Sequence, residues 1–409
     1  MRISTKSIYD SATNQLGALQ TAMARTQMQL STNRRNLSPA DDPIASARAL
    51  EVTQSQAINT QLATNRDSAK SSLGMEAQAL DSTVALIQDV QTLAVSAGSG
   101  TLNDSDRSAL ATQLEGRLSD LMGLANTADG IGGYLFSGYK TTTVPFTKTA
   151  TGATYQGDSG QRQLQVASAR QMTISHSGSS VFENNATGNG TFTTAAVFAN
   201  TGSGIVSTGS VTDASLLTGD NYKVTFSGTS PANTYTVTDT TPGATVPAVP
   251  PLPAAAPYIS GQSITFAGMS FDVMGSPASG DQFTVAPSTK ESLFTTVSKL
   301  IDVLRTPASG AAGQTALVNG LNTAQTNLNS ALDNVLSVQT AVGASLNQLD
   351  VLDSAGDDLN LQYTTTLSGL QDVDYVAALS LFTQQQTTLD AALKSFKALS
   401  SLSLFNYIN

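Results

Sequence analysis

The sequence predicts an α+β chain: a long discontinuous α-helical coiled-coil bundle formed by N- and C-terminal segments, with an inserted β-rich outer domain. Both ends carry apolar residues at alternating three- and four-residue steps, the period of one helix face. Between residues 140 and 287 the period drops to two and Thr, Gly and Pro dominate. Proline and glycine clusters stand where one pattern gives way to the next.

At the N-terminus Tyr9, Ala12, Leu16, Leu19, Met23, Thr26 and Leu30 share one face of a helix. That helix is expected to end near Asn36, because Ser38-Pro39-Ala40-Asp41-Asp42-Pro43 sets two prolines in its path. Asp42 then reads as an N-cap and Pro43 as the first helical residue, where a missing N–H costs nothing. The pattern runs through Ile58, Leu62, Leu73, Leu80, Val84, Ile87 and Val90 to a stop at Ala97-Gly98-Ser99-Gly100. At 1.5 Å per residue this is a rod of about 75 Å. A third helix starts at Asn103 or Asp104, turns Leu110, Leu114, Leu118, Leu121 and Leu124 inward, and ends near Ala128-Asp129-Gly130.

From Tyr139 to Pro287 the segments Leu164–Val166, Tyr222–Phe226, Tyr235–Val237 and Ile264–Phe266 alternate apolar and polar residues and read as strands. Pro242 to Pro257 is too rich in proline for a core strand and reads as an extended loop. Ser288 with Glu291 forms a capping-box pattern that returns the chain to helix. After a break at Pro307 to Gly313, a second long seam passes through Leu321, Ala324, Leu328, Ala331, Val335, Val338, Val342, Leu346 and Leu349. Asp372 reads as the cap of the last helix, whose face carries Tyr375, Leu379, Phe382, Gln386, Leu389, Leu393, Phe396, Ser400 and Ser403.

With the β region as an excursion, the two helical ends lie side by side. The expected division is a terminal helical assembly domain of 1–42 and 365–409, a helical rod of 43–139 and 288–364, and an outer domain of 140–287 containing the loop 242–257. Charge favours the pairing: residues 1–40 carry a net +4 and residues 345–409 a net −5. Exposed ion pairs give only about 0–1 kcal/mol each, so charge biases the pairing without holding it. The bare stripes at both ends make Leu16, Leu19, Met23, Leu30, Leu379, Phe382, Leu389, Leu393, Phe396, Leu404 and Phe405 candidate assembly contacts.

Composition points to an assembling structural protein. The chain of 409 residues predicts two or three domains, while 6% aromatic residues, no tryptophan and 12% charged residues argue against large rigid pockets. It contains no cysteine, which excludes disulfides and thiolate metal sites. A net charge of −10 argues against a nucleic-acid partner. No apolar run approaches a membrane span, and Met1 to Ile3 open directly into helical pattern. If the protein leaves the cell, it is expected to do so by a route that reads no cleaved signal.

Candidate chemistry has simpler readings. Gly157-Asp158-Ser159-Gly160 resembles a serine-protease nucleophile loop, but His176, the one histidine, lies downstream, and a β-turn accounts for the string. Asp104, Asp106, Ser108 and Glu115 fall at EF-hand offsets, yet Ala109 replaces the required glycine and a capped helix start explains them. The pairs Asp41/Asp42 and Asp357/Asp358 read as helix starts and solvated loops, and His176 lacks a second ligand nearby. No catalytic residue, metal or cofactor is expected.

Several strings coincide with one family. Met1–Thr5, Gln29–Thr32, Ser38–Pro43 with Ala47–Leu50, Leu124–Asn126, Gly133–Tyr139 and Pro145-Phe146 resemble the bacterial flagellar hook-associated protein 3 family of flagellin-like junction proteins. Val342-Gly343, Asp372–Tyr375, Gln384-Gln385 and Leu402–Phe405 follow in the expected order, and Tyr155–Asp158 and Gly280–Phe283 are also similar. The stretch from about 185 to 260 carries none of these strings.

The resemblance implies a mechanical adaptor at the hook–filament junction, a ring of copies seated on hook-associated protein 1 on one side and templating flagellin on the other. It also implies type III export with a chaperone on the C-terminal helix, and no membrane or nucleic-acid partner. A flagellin-type filament subunit is the nearest alternative; its loop usually lacks the proline after the paired aspartates. A flagellin-like adhesin or an enzyme carried in the β region would need a catalytic cluster between 140 and 287.

Overall fold

The computed structural model describes residues 5–229, 232–241 and 256–401. Leu404, Phe405 and most of the proline-rich loop lie outside them. Among the described residues there are six α-helices: α1 (Thr5–Thr32), α2 (Pro43–Ala97), α3 (Asp104–Ala125), α4 (Leu293–Arg305), α5 (Gly310–Gln371) and α6 (Tyr375–Ser401). The strands are β1 (Phe146–Thr149), β2 (Gly152–Tyr155), β3 (Gln163–Ala167), β4 (Arg170–Thr173), β5 (Asn185–Ala186), β6 (Phe192–Ala196), β7 (Ile205–Val206) and β8 (Ser210–Val211). They continue as β9 (Tyr222–Ser227), β10 (Thr234–Asp239), β11 (Ala256–Pro257), β12 (Ser263–Phe266), β13 (Met269–Met274), β14 (Gln282–Pro287) and β15 (Lys290–Glu291). The chain divides into two compact units, Met1–Thr64 with Val351–Asn409, and Asn65–Asp350.

In the larger unit α2 and α5 run antiparallel, Lys70 pairing with Asp350 at 2.7 Å and Gln91 with Asn329 at 2.8 Å. Their seams bury Leu73, Leu80, Ile87 and Val90 against the side that holds Leu328, Ala331, Val335 and Val342. Each such side chain taken out of water contributes about 1.5–3 kcal/mol, or less for alanine. Helix α3 buries Leu114, Leu118 and Leu121 and packs on α4, with Arg305 reaching Glu115 at 2.9 Å. Asn103 caps α3 through a capping box with Asp106. The helix stops at Ala125, a few residues before the expected Ala128.

Two apolar centres hold the strands. Phe136, Phe146, Phe182 and Phe294 meet with ring centroids 4.8–5.7 Å apart, joining the small β1–β2 hairpin to α4. Further out, the antiparallel sheet β11-β10-β9-β14-β6 and the sheet β12-β13-β7 share one core. Alternate residues supply it, Tyr222, Val224 and Phe226 from β9 and Phe271 and Val273 from β13, as a two-residue period requires. Each of the four segments expected to be strands lies in a strand.

Three further boundaries move. Helix α1 ends at Thr32, before the expected Asn36: Asn33 turns left-handed at φ 53°, and the Arg34 amide reaches back to the Gln29 carbonyl at 3.2 Å. Asparagine tolerates that conformation, so the helix stops before the prolines are reached. Helix α5 begins at Gly310, inside the expected break. Ser288 does not cap α4: its hydroxyl donates to the Thr187 carbonyl at 2.8 Å, Lys290–Glu291 form β15, and Ser292 occupies the cap position. Strand pairing with β5 took the residues that the capping pattern would have used.

Candidate assembly site

In the smaller unit α1 packs along α6. From α1 the half-buried or buried residues include Ala12, Leu16, Leu19, Met23, Thr26 and Leu30 of the sequence pattern, whose first residue, Tyr9, is 54% exposed. From α6 it is Ala378, Phe382, Gln385, Leu389, Ala392 and Phe396. The expected stripe therefore divides. Phe382, Leu389 and Phe396 face α1, and Phe396 meets Tyr9 at 5.1 Å. Tyr375, Leu379 and Leu393, set one residue further round, stay 58%, 50% and 43% exposed. The apolar stripe of α6 is wider than one partner helix can cover.

The turns that connect this pair to α2 and α5 form a clasp. Arg34 and Asp372 make an antiparallel backbone bridge; the Arg35 amide donates to the Gln371 carbonyl at 2.7 Å and the Val373 amide to that of Asn33 at 3.3 Å. Asp372 is thus part of the bridge and does not cap α6. Asp374 does, accepting the Ala377 amide at 3.0 Å. Asp42 accepts the Ala45 amide at 2.9 Å, with Pro43 opening α2. Asp41 accepts the amides of Leu37 and Ser38, both at 3.0 Å, and Arg25 sits 2.7 Å from it. These contacts, the Ser38 amide foremost, hold its carboxyl below the ordinary value of 3.8. The basic residues of the α1 end therefore engage acids at the start of α2, Arg25 with Asp41 and Arg35 with Asp42 at 3.9 Å.

In the larger unit the strings 133–139 and 155–158 interlock. The Tyr155 hydroxyl donates to the carbonyls of Phe136 and Asp158 at 2.9 and 2.8 Å, and burial pushes its pKa up to about 12. Asp158 accepts the amides of Tyr139, Lys140 and Gly160 at 3.0, 3.1 and 2.8 Å, which lowers its pKa from 3.8. Gly138, at φ 74°, lies so close to Asp158 that a Cβ would collide with it. The protease-like loop is therefore a structural turn. The EF-hand-like residues are likewise engaged in the α3 start, Asp104 accepting the Ala308 amide at 3.2 Å and pairing with the buried Arg107. His176 bonds the buried Glu76 at 2.8 Å. Among the described residues no cluster of three metal-ligating side chains occurs.

Three asparagines on α5, absent from the sequence reading, pin segments of the inserted region to that helix. Asn319 accepts the Val206 amide and donates to the Gly204 carbonyl, both at 3.0 Å. Asn327 accepts the Gly188 amide at 3.1 Å, and Asn334 donates to the carbonyls of Ser180 and Val181 at 3.0 and 2.9 Å. Their signal was available: all three fall beside the apolar seam, where an unpaired amide would be costly.

Paired terminal helices with a β region inserted between them in the sequence define a flagellin-type protein, and residues 3–141 match the bacterial flagellin N-terminal helical region. Residues 196–287 match the D2-like domain of flagellar hook-associated protein 1, which covers much of the stretch that carried no family string. Flagellar hook-associated protein 3 of Salmonella typhimurium is 30% identical over 406 residues, 99% of each chain, and that of Escherichia coli 29% over the same length. The solved flagellar hook-associated protein 3 of Legionella pneumophila aligns with a TM-score of 0.73 and 34% identity, covering 78% of this chain and 98% of its own. FlgL of Xanthomonas campestris aligns at 0.70 and 28%, covering 78% and 99%. The chain belongs to the flagellar hook-associated protein 3 family. It is a structural, extracellular protein of the flagellar hook–filament junction, with flagellar partners. Among the described residues no helix is long and apolar enough to cross a membrane.

Proposed function

We propose that the terminal helices are the assembly domain, 1–42 with 365–409, and that they join copies of this chain into a ring seated on hook-associated protein 1 and presented to flagellin. The single observation that carries this reading is the divided stripe of α6. Leu16, Leu19, Met23 and Leu30 of α1 and Phe382, Leu389 and Phe396 of α6 are buried or half-buried in the packed helix pair, while Leu379 and Leu393 remain exposed beside that seam. Covering each leucine is worth at most about 1.5–3 kcal/mol, and a neighbouring helix supplies the cover. Leu404 and Phe405, which follow α6 in the sequence, are assigned to the same interface. Residues 43–139 with 288–364 act as the rod and 140–287 as the outer domain, and a chaperone shields the C-terminal helix before export.

A cross-linking measurement tests the partners directly. The chain has no native cysteine, so a photo-cross-linker on Leu379→Cys reports only that position. In intact flagella the expected products are adducts with hook-associated protein 1, flagellin or a second copy. A labelled, incorporated protein that yields no protein adduct overturns the reading.

A further inference from the structure

Strand β6 is one edge of the five-stranded sheet, and half of its main chain faces away from that sheet. The Val197 amide donates to the Gln282 carbonyl at 3.0 Å and the Ser288 amide to the Thr191 carbonyl at 2.9 Å, just beyond the two ends of the β6–β14 ladder. By the same alternation Thr193 and Ala195 face β14, so the N–H and C=O of Thr194 and Ala196 point outward. At Thr194 that side is occupied, its hydroxyl donating to the Ser207 carbonyl at 2.7 Å. The outward main-chain groups of Ala196 have no partner among the described residues.

A furrow follows this edge, between β6 and the helices α4 and α5. It has an opening of about 350 Å³ beside Ala196, Val197 and Phe198 and another of about 220 Å³ beside Thr193 and Thr194, and Thr323 and Asn327 of α5 line both. The α5 wall carries amide groups with unused capacity. Asn327 is 6% exposed; its Oδ1 accepts the Gly188 amide, while its Nδ2 has no partner among the described residues. Gln325 Oε1, in the smaller opening, is buried and unpaired, which is costly for an acceptor. At the larger opening Lys299 is paired with Glu291, but the exposed Asp302 carboxylate has no partner among the described residues.

We propose that this furrow takes an extended segment of a partner protein as an added strand on β6, with a lysine or arginine of that segment directed at Asp302. The unpaired N–H and C=O of Ala196 on a strand edge select main chain as the occupant, since an extended peptide presents both groups at strand spacing and a compact apolar ligand presents neither. Asn327 and Gln325 offer a donor and an acceptor from the opposite wall. The free carboxylate of Asp302 selects the charge, because a basic side chain there gains a partner and an acidic one is repelled. All of these residues lie in the larger unit, and the proposal does not rest on the assembly reading of α1 and α6.

The probe is a fluorescein-labelled strand-forming peptide, Thr-Val-Lys-Val-Thr-amide, titrated into the soluble full chain and followed by anisotropy. Two N-methylated versions, one blocked at the valines and one at the lysine and threonines, remove the main-chain donors of either edge while keeping every side chain. Saturable binding of the parent peptide is expected, with one N-methylated version weakened about tenfold or more and the other unchanged. No binding at millimolar peptide, or equal binding of both N-methylated versions, overturns strand addition. Ala196→Pro removes the outward donor without touching the β14 ladder and is expected to abolish binding with circular dichroism unchanged. Asp302→Asn decides even if that variant does not fold: the parent chain should prefer the lysine peptide to one with aspartate in its place, and the variant should lose that preference. A preference that survives Asp302→Asn overturns the assignment of the furrow.

Discussion

Arg34 and Asp372, far apart in the chain, form a backbone bridge that ties the α1–α2 turn to the α5–α6 turn. The bridge is made by main-chain groups, so its geometry does not depend on keeping particular side chains. It does depend on the amide of Val373, which donates to the Asn33 carbonyl. Val373→Pro removes that donor and restricts Asp372. The expected result is faster hydrogen exchange throughout α1 and α6, with protection of the β core unchanged. Unaltered exchange in α1 would show that the helix pair holds without the clasp.

The divided α6 stripe separates folding from assembly. Leu389 is buried against α1 at 8% exposure, and Leu389→Asp places a carboxylate in that seam, loosening the pair within the monomer. Leu393 is 43% exposed, and Leu393→Asp leaves the monomer's helix content as it was. Both variants are expected to be exported. Leu393→Asp should give hooks without filaments while circular dichroism matches the parent, and normal filaments on those cells would remove Leu393 from the interface.

Much of this architecture is legible in the residues, and the failures have physical causes. From Leu62 onward the α2 seam, and with it that of α5, read correctly because an apolar residue recurs at most inward positions over many turns, whereas Ile58, expected in the same seam, is 51% exposed. On α6 the same reading assigned Leu379 and Leu393 to the seam and missed Gln385 and Ala392, because the periodicity fixes a stripe but not which edge of it meets the nearest helix. Ser288 and Asp372 have cap-like neighbours, yet the hydroxyl and amide of Ser288 are taken by the Thr187 and Thr191 carbonyls and Asp372 is held in the backbone bridge. The position of the asparagines beside the seam marks them as needing partners, but those partners lie more than a hundred positions away in the chain and no local pattern names them.

Those asparagines give a direct stability test. Asn319→Ala leaves the Val206 amide and the Gly204 carbonyl without their partner in a buried setting, at a cost of about 1–3 kcal/mol for each orphaned group. For a unit of this size that corresponds to a fall in Tm of roughly 5–10 °C. Asn322→Ala, at an exposed position one turn on, is the control and should change little. Equal Tm values for the two variants would remove the pinning role.

Asp158 predicts a pH dependence. Its folded pKa is lowered by the Tyr139, Gly160 and Lys140 amides, so its contribution is present above the unfolded value of 3.8 and is lost as pH falls through the lower folded value. Asp158→Ala should therefore lower Tm at neutral pH, and its difference from the parent should shrink as pH drops below 3.8. A difference that stays constant down to the acid limit would show that the carboxylate's charge is not what organises the loop.

The outer domain offers a last test, of the division of labour between rod and insert. Strand β11 pairs Thr234 with Pro257 and Tyr235 with Ala256, and the Tyr258 hydroxyl donates to the carbonyls of Val273 and Gly275 at 3.0 and 2.8 Å. A deletion that runs through Pro257 would strip this edge from the five-stranded sheet. Replacing residues 242–255 by a short Gly/Ser linker retains β11, and the linker must reach back alongside β10, about 14 Å from Asp239 to Tyr235 at 3.4 Å per residue. Cells carrying the replacement should swim, and the protein should keep the Tm of its β core. Folded, exported protein with bare hooks would instead assign the proline-rich loop a contact with a neighbouring subunit.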